Sequence, residues 1–156
     1  MIPQISQAPG VVQLVLNFLQ VLEQQGFTGD TATSYADRLT MATDNSVYQL
    51  LPDAILFPRS TADVALLARL AAEERFKTLI FTPRGGGTGT NGQALNAGII
   101  VDMSRYMNRI IEINPEEGWV RVEAGVILDK LNQFLKPHGY FYAPDLTTRN
   151  PATLGG

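Results

Sequence analysis

Apolar positions recur at helical spacing near the start of the chain. Val11, Val15, Phe18 and Leu22 share one face, with Leu14 and Val21 beside them, and Gly26 offers a stop. Asp30 to Leu39 reads as a second short helix. Turn-forming residues follow in Ala42-Thr43-Asp44-Asn45-Ser46-Val47-Tyr48 and lead to Pro52. Ala54-Ile55-Leu56-Phe57 is an unbroken apolar run closed by Pro58, the mark of a short buried strand. Ser60-Thr61-Ala62-Asp63 has capping-box letters and opens a helix faced by Val64, Leu67, Ala68 and Ala71, ending near Arg75. Thr78 to Thr82 is predicted as the next strand and Ile99 to Asp102 as a third. Asn108 to Ile113 and Trp119 to Glu123 read as two strands around an Asn114-Pro115-Glu116-Glu117-Gly118 hairpin turn. A last helix carries Ile127, Leu128, Leu131, Phe134 and Leu135 on one side, and Pro137 and Gly139 end it.

The expected fold class is therefore α+β with α/β character. A small parallel βαβ sheet flanked by helices comes first, and an antiparallel sheet starts after it. Residues 1–40 read as a helical lead-in, and residues 41–156 as the N-terminal part of the domain proper. The closing Thr153-Leu154-Gly155-Gly156 brings no final helix or strand, so an interrupted domain is expected.

The strand that ends near Thr82 runs into Pro83-Arg84-Gly85-Gly86-Gly87-Thr88-Gly89-Thr90-Asn91-Gly92, with five glycines in ten residues. Glycine accepts positive φ and lets a backbone approach a ligand closely. Successive N–H groups turned inward form an anion nest. Arg84 adds a charge and a fork of donors suited to phosphate. The functional reading is a diphosphate cradle; a flexible surface loop is the bland alternative. Gly87-Thr88-Gly89-Thr90-Asn91-Gly92 fits G-x-G-x-x-G, but a strand follows rather than a helix, so the Rossmann reading fails. No Gly-Lys pair exists for a Walker A loop.

Composition narrows the rest. The 156 residues carry a net charge of −3, with 45% apolar residues, enough for one core. No basic block supports nucleic-acid binding. With no cysteine, thiolate chemistry and disulfides are excluded within these residues, and with His138 the one histidine a zinc site is not expected. His138 reads as a helix-end residue and Trp119 as core. The apolar stretch Val11 to Leu22 is too short and polar to span a bilayer. No hydrolase triad or acid–base pair emerges among the hydroxyls and carboxylates.

Five stretches, in order, carry a family resemblance: Ala42 to Tyr48, Pro52 to Pro58, Pro83 to Gly89, Val122-Glu123-Ala124-Gly125 and Thr153 to Gly156. Together they resemble the FAD-binding domain shared by vanillyl-alcohol oxidase and p-cresol methylhydroxylase. Within that family they look most like the large FAD and iron–sulfur D-2-hydroxy acid dehydrogenases, of the D-2-hydroxyglutarate or D-lactate type. The resemblance implies that Arg84, Gly85, Gly86, Gly87, Thr88, Gly89 and Thr90 wrap the FAD diphosphate. It also implies that Pro144, Asp145, Thr153, Gly155 and Gly156 lie near the flavin. Gly85 to Gly92 holds no histidine, cysteine or tyrosine, so non-covalent FAD is expected.

The implied reaction oxidises a D-2-hydroxy acid to the 2-oxo acid by hydride transfer to flavin N5, with a separate electron acceptor. Catalytic residues and any iron–sulfur cluster are expected beyond residue 156. The segment alone is expected to be inactive and to bind FAD weakly. A cytoplasmic location and self-association complete the expectations. Two other readings compete: a flavoenzyme similar to the reductase of UDP-N-acetylenolpyruvoylglucosamine, and a non-catalytic phosphate- or nucleotide-binding module.

Overall fold

The computed structural model describes residues 10–144 and 148–155. Its centre is a pair of fully buried strands, β2 (Ala54–Phe57) and β4 (Ile99–Asp102), whose unbroken apolar runs suit a sheet covered on both faces. The four-stranded sheet has the order β1-β2-β4-β3. β2 and β3 (Phe81–Arg84) both run parallel to β4, which lies between them. β1 (Asp30–Ala32) is antiparallel at the outer edge, with Asp30 opposite Phe57.

Alternation along β2 and β4 builds two cores. Ala54, Leu56, Ile99 and Val101 point to one face, where α1 (Gln13–Gln24) delivers Val15, Phe18 and Leu22, and α3 (Thr61–Ala71) delivers Leu67 and Leu70. Phe18 anchors this layer, meeting Phe76 and Phe81 edge-on at 5.1 Å each. Ile55, Phe57 and Ile100 fill the other face under Met41, Ala32 and Tyr106. Lead-in and domain thus share one sheet and one core.

The predicted helix from Asp30 to Leu39 is half strand. Only α2 (Tyr35–Thr40) is helical, capped by the Ser34 hydroxyl, which accepts from Asp37 N. The outer edge of β2 takes Asp30 to Ala32 as its partner, and that tertiary pairing outweighs local helical spacing. Gly29 permits the approach, since a Cβ there would lie 2.3 Å from Phe57 O.

Two further boundaries move. α3 ends at Ala71, not near Arg75. The strand expected at Thr78 to Thr82 is β3, three residues downstream at its start. Leu79 N still donates to Phe76 O in a turn, and the first ladder bond runs from Ile99 N to Ile80 O. Pro83 lacks an N–H and is tolerated because β3 is an edge strand.

The second sheet is the hairpin of β5 (Ile110–Asn114) and β6 (Trp119–Val122), closed by Gly118 at φ 72° with its N–H on Asn114 O. α4 (Leu128–Leu135) packs Leu131 and Leu135 onto it, and Val126 completes that core. Trp119 is half-buried rather than core: its indole N–H donates to the Glu117 carboxylate, and the Arg121 guanidinium lies 5.5 Å from its ring. His138 closes the one-turn 3-10 segment Lys136–His138, in keeping with a helix-end role.

Candidate functional site

The three parallel strands end on one side of the sheet, at Phe57, Arg84 and Asp102. That is where open α/β sheets place ligands. The glycine loop leaves β3 there. Opposite it runs the segment ending Thr153-Leu154-Gly155, which is tied to the 124–128 stretch. Leu154 N donates to Val126 O at 3.0 Å, Gly155 N to Ala124 O at 2.8 Å, and Leu128 N to Ala152 O at 3.0 Å. An antiparallel bridge joins Ile127 and Thr153.

Between loop and segment lies an open cleft of about 230 Å³. Its walls are Gly85 to Gly89 and Gln93-Ala94 on one side, and Thr153, Leu154 and Gly155 on the other. No carboxylate lines it. Among the described residues, no backbone N–H from Gly85 to Thr90 donates to a protein acceptor; the next, Asn91 N, donates to Gln93 Oε1. Five consecutive lining residues, Gly85 to Gly89, whose N–H groups lack a protein acceptor among the described residues favour an anion whose oxygens can accept several of them at once.

Each glycine in this loop has its own reason. Gly87 has φ 63°, which side chains rarely adopt. Gly85 and Gly86 lack that constraint and are instead pressed by the opposite segment. A Cβ on Gly86 would lie 1.8 Å from Pro151 O. A Cβ on Gly89 would meet the Gln93 side chain at 2.4 Å.

The loop is also held from outside by the turn after α2. Asn45 N donates to Gly87 O at 3.0 Å. Thr43 and Gln49 form an antiparallel bridge, and Leu50 N donates to Ala42 O, so residues 41–50 make a small hairpin against the loop. Arg84 was expected at the mouth of the cradle, but its side chain is buried and turned into this hairpin. Burial lowers its pKa against the opposing pull of Asp44 and Asp102, and it remains a cation at neutral pH. Burial also works to raise the Asp44 carboxyl, but the Ser46 hydroxyl and N–H and the charge of Arg84 outweigh it and hold Asp44 low.

Asp102 ends β4 with its Oδ1 accepting from Ser104 N and Oγ at 2.8 Å and from Arg105 N at 3.1 Å. It shapes the neighbouring turn and is not among the residues that line the cleft. Behind Gly125, Glu123 receives the fork and N–H of Arg109 and pins the base of the hairpin.

A family model described as an FAD binding domain matches residues 52–156. The chain belongs to the FAD binding domain family. The domain is 86% identical over all 156 residues to a D-2-hydroxyglutarate dehydrogenase of Escherichia coli K12 and 59% identical to one of Haemophilus influenzae. It spans 15% of the length of each. It is 33% identical over 125 residues to the glycolate oxidase subunit GlcD of Bacillus subtilis, covering 79% of this chain and 26% of that one. Among solved structures, an alkyldihydroxyacetonephosphate synthase matches with a TM-score of 0.78 at 20% identity, over 99% of this chain and 32% of that one. Physcomitrella patens BBE-like 1 matches with a TM-score of 0.62 at 22% identity, over 77% of this chain and 26% of that one. These two show the fold, and the fold is the one the sequence resemblance implied.

Of the residues singled out from sequence, Gly85, Gly86, Gly87, Thr88, Gly89, Thr153 and Gly155 meet in the FAD-binding domain's cleft. Thr90 and Arg84 are not among its lining residues. Pro144 lies in a separate depression with Asn132, Tyr142 and Arg149. Asp145 and Gly156 lie outside the described residues. Gln93, Ala94 and Leu154 line the cleft and went unseen. Only Gln93 carried a signal, as a polar side chain one residue past the last loop glycine. Among the described residues, no helix is long and apolar enough to cross a membrane, and no group of acids and histidine is placed to hold a metal.

Proposed function

We propose that this FAD-binding domain holds the FAD diphosphate between its glycine loop and the Thr153–Gly155 segment, within a flavoenzyme that oxidises D-2-hydroxyglutarate. One observation carries the first half: Gly85 to Gly89 line a cleft that no carboxylate lines, and among the described residues their N–H groups have no protein acceptor. The donor set fits a diphosphate, whose non-bridging oxygens accept several N–H groups without a side-chain cation. Similarity to the dehydrogenases supports the second half.

Gly85, Gly86, Gly87, Thr88 and Gly89 would bind the diphosphate through backbone donors, and Thr90 would flank them. Thr153, Gly155 and Gly156 would form the facing wall, with Pro144 and Asp145 further towards the flavin ring. FAD, when bound, supplies the two-electron acceptor that turns the 2-hydroxy acid into the 2-oxo acid. The residues described here orient it and exclude nothing by charge. No side chain of the loop offers a covalent attachment point, which supports non-covalent FAD.

The division into a lead-in of residues 1–40 and a domain from residue 41 is a functional one, since every lining residue of the cleft comes from the second part. The D-2-hydroxy acid, its electron acceptor, any iron–sulfur cluster, self-association and a cytoplasmic location belong to the proposal for the whole protein. The test is anaerobic addition of D-2-hydroxyglutarate, D-lactate or glycolate to purified full-length protein. Bleaching of a flavin band by D-2-hydroxyglutarate in preference to the others supports the reading. Bound flavin that none of them reduces would favour a reductase, and protein without flavin that takes none up would favour a plain binding module.

A further inference from the structure

Arg84 ends β3 beside Asp102 in the register of the sheet. Its guanidinium turns away from the cleft. Nη2 donates to Thr43 O at 2.7 Å, and Nη1 reaches Met41 O at 3.4 Å. The residue is only 8% exposed. The fork also packs against the loop itself, since a Cβ on Gly87 would lie 2.5 Å from Nη2. Gly87 is meanwhile held through its carbonyl by Asn45 N. Asp44 stands behind this contact. Its Oδ1 accepts from Ser46 N at 2.8 Å, and its Oδ2 is buried without a hydrogen-bond partner among the described residues.

We propose that Arg84 is a positioning residue: its fork joins the 41–50 hairpin to the glycine loop and aims the loop N–H groups, and its side chain does not touch the diphosphate. This rests on the reading of the loop as the FAD diphosphate site. To reach a phosphate, the guanidinium would have to leave two carbonyls and the face of Gly87, and giving up hydrogen bonds from a charged donor is costly. The role needs a planar fork with two separated donors. A lysine keeps the charge but is a single point on a flexible stem and cannot span both carbonyls. Asp44 belongs to the same device, as the half-buried anion of the hairpin whose charge favours the charged fork.

The experiment is FAD titration of the full-length apoprotein, followed by flavin fluorescence at low and high salt. The variants are Arg84→Lys, Arg84→Gln, Asp44→Asn and Gly86→Val. Both Arg84 variants should weaken FAD by roughly ten- to a hundred-fold. Their salt dependence should match the parent's, because no charge on the phosphate has been lost. Arg84→Lys with near-parent affinity, beside Arg84→Gln with weak and salt-insensitive binding, overturns the proposal and makes Arg84 a phosphate ligand. Unchanged affinity in both variants overturns it as well.

Asp44→Asn keeps the fold's arginine and decides by sign. A positioning role makes FAD bind several-fold more weakly. Direct contact between arginine and phosphate makes it bind as well or better, since a competing anion is gone, and that result overturns the proposal. Gly86→Val tests the underlying reading separately: if it binds FAD normally, the loop is not the diphosphate site, whatever the Arg84 variants do.

Discussion

Thr153 Oγ1 stands where Gly85 lacks a Cβ. An ideal Cβ built on Gly85 would lie 1.8 Å from that oxygen, and the same hydroxyl donates to Gly155 O at 2.7 Å. The two walls of the cleft are therefore fitted to each other at an atom, before any ligand is considered. Gly85→Ala should push Thr153 off Gly155 and open the cleft. We expect FAD affinity to fall by at least ten-fold, which costs about 1.4 kcal/mol, with the sheet unaffected. Gly85→Ala paired with Thr153→Ala should recover part of the loss, because the oxygen in the way is gone. Titrated FAD affinities of the single and double variants check this; a double variant no better than the single one would sink it.

Gly86 and Gly87 should both fail as valine, for different reasons. At Gly87 a branched side chain must adopt φ 63° and displace the Arg84 fork. At Gly86 the backbone angle allows a side chain, but Pro151 O blocks it. Flavin content of the purified variants should drop to near zero in both. Gly87→Asn should retain more flavin than Gly87→Val, since asparagine tolerates positive φ. No such difference is expected between Asn and Val at Gly86. Equal flavin retention by Gly87→Asn and Gly87→Val would mean that backbone conformation is not what fixes that position.

Much of this was legible before the structure. β2, β4 and the 110–122 hairpin follow from apolar runs and turn residues that admit few alternatives. The glycine loop stood out as a candidate cradle because strand, glycine loop and strand succeed one another without a helix. The orientation of Arg84 was not legible, because sequence shows a charge beside glycines but not the two carbonyls that take its donors. The glycines themselves carried a mixed signal: Gly85 and Gly86 are pressed by the opposite segment, while Gly87 and Gly92 hold positive φ. Asp30 to Ala32 was missed because three residues of edge strand carry no periodicity of their own; their pairing with β2 is a tertiary event. Gln93 and Leu154 line the cleft through folding that brings residues 61 apart in sequence together.

Asp63 should matter more than an ordinary first-turn acid. It is buried at the start of α3 and accepts from Thr28 N, Thr28 Oγ1 and Arg59 N, each at 2.8 Å. It thus ties α3 to the chain before β1 and to the end of β2. Burial works to raise its carboxyl, but these N–H groups and hydroxyls prevail and hold it below the ordinary value of 3.8. Asp63→Asn keeps the shape but offers one acceptor oxygen in place of two. Hydrogen bonds to a charged group contribute about 1.5–3 kcal/mol each, and we expect a loss of about 2–3 kcal/mol. Thermal unfolding measured at neutral pH checks it. A variant within the scatter of the parent would show that the backbone around α3 does not depend on this carboxylate.

The same carboxylates set an acid limit, with Glu123 the second contributor. Glu123 is buried, and Arg109 gives it a fork at 2.6 and 3.1 Å and an N–H at 2.9 Å. The hydrogen bonds from the Arg109 side chain lower its pKa below the ordinary 4.5, against burial, which works to raise it. A carboxyl with a depressed folded pKa stabilises fully above its unfolded pKa and loses that contribution as pH falls through the folded one. Stability should therefore be flat from neutral pH to about 5 and decline below it as Glu123 and Asp63 take up protons. Glu123→Gln should be less stable than the parent at neutral pH, and the gap should close as the pH falls below 4.5, because the parent then loses what the variant never had. Urea midpoints of parent and variant across that range measure the gap directly. A gap that widens in acid would mean Glu123 is protonated in the folded state near neutral pH, and that the Arg109 fork does not hold it ionised.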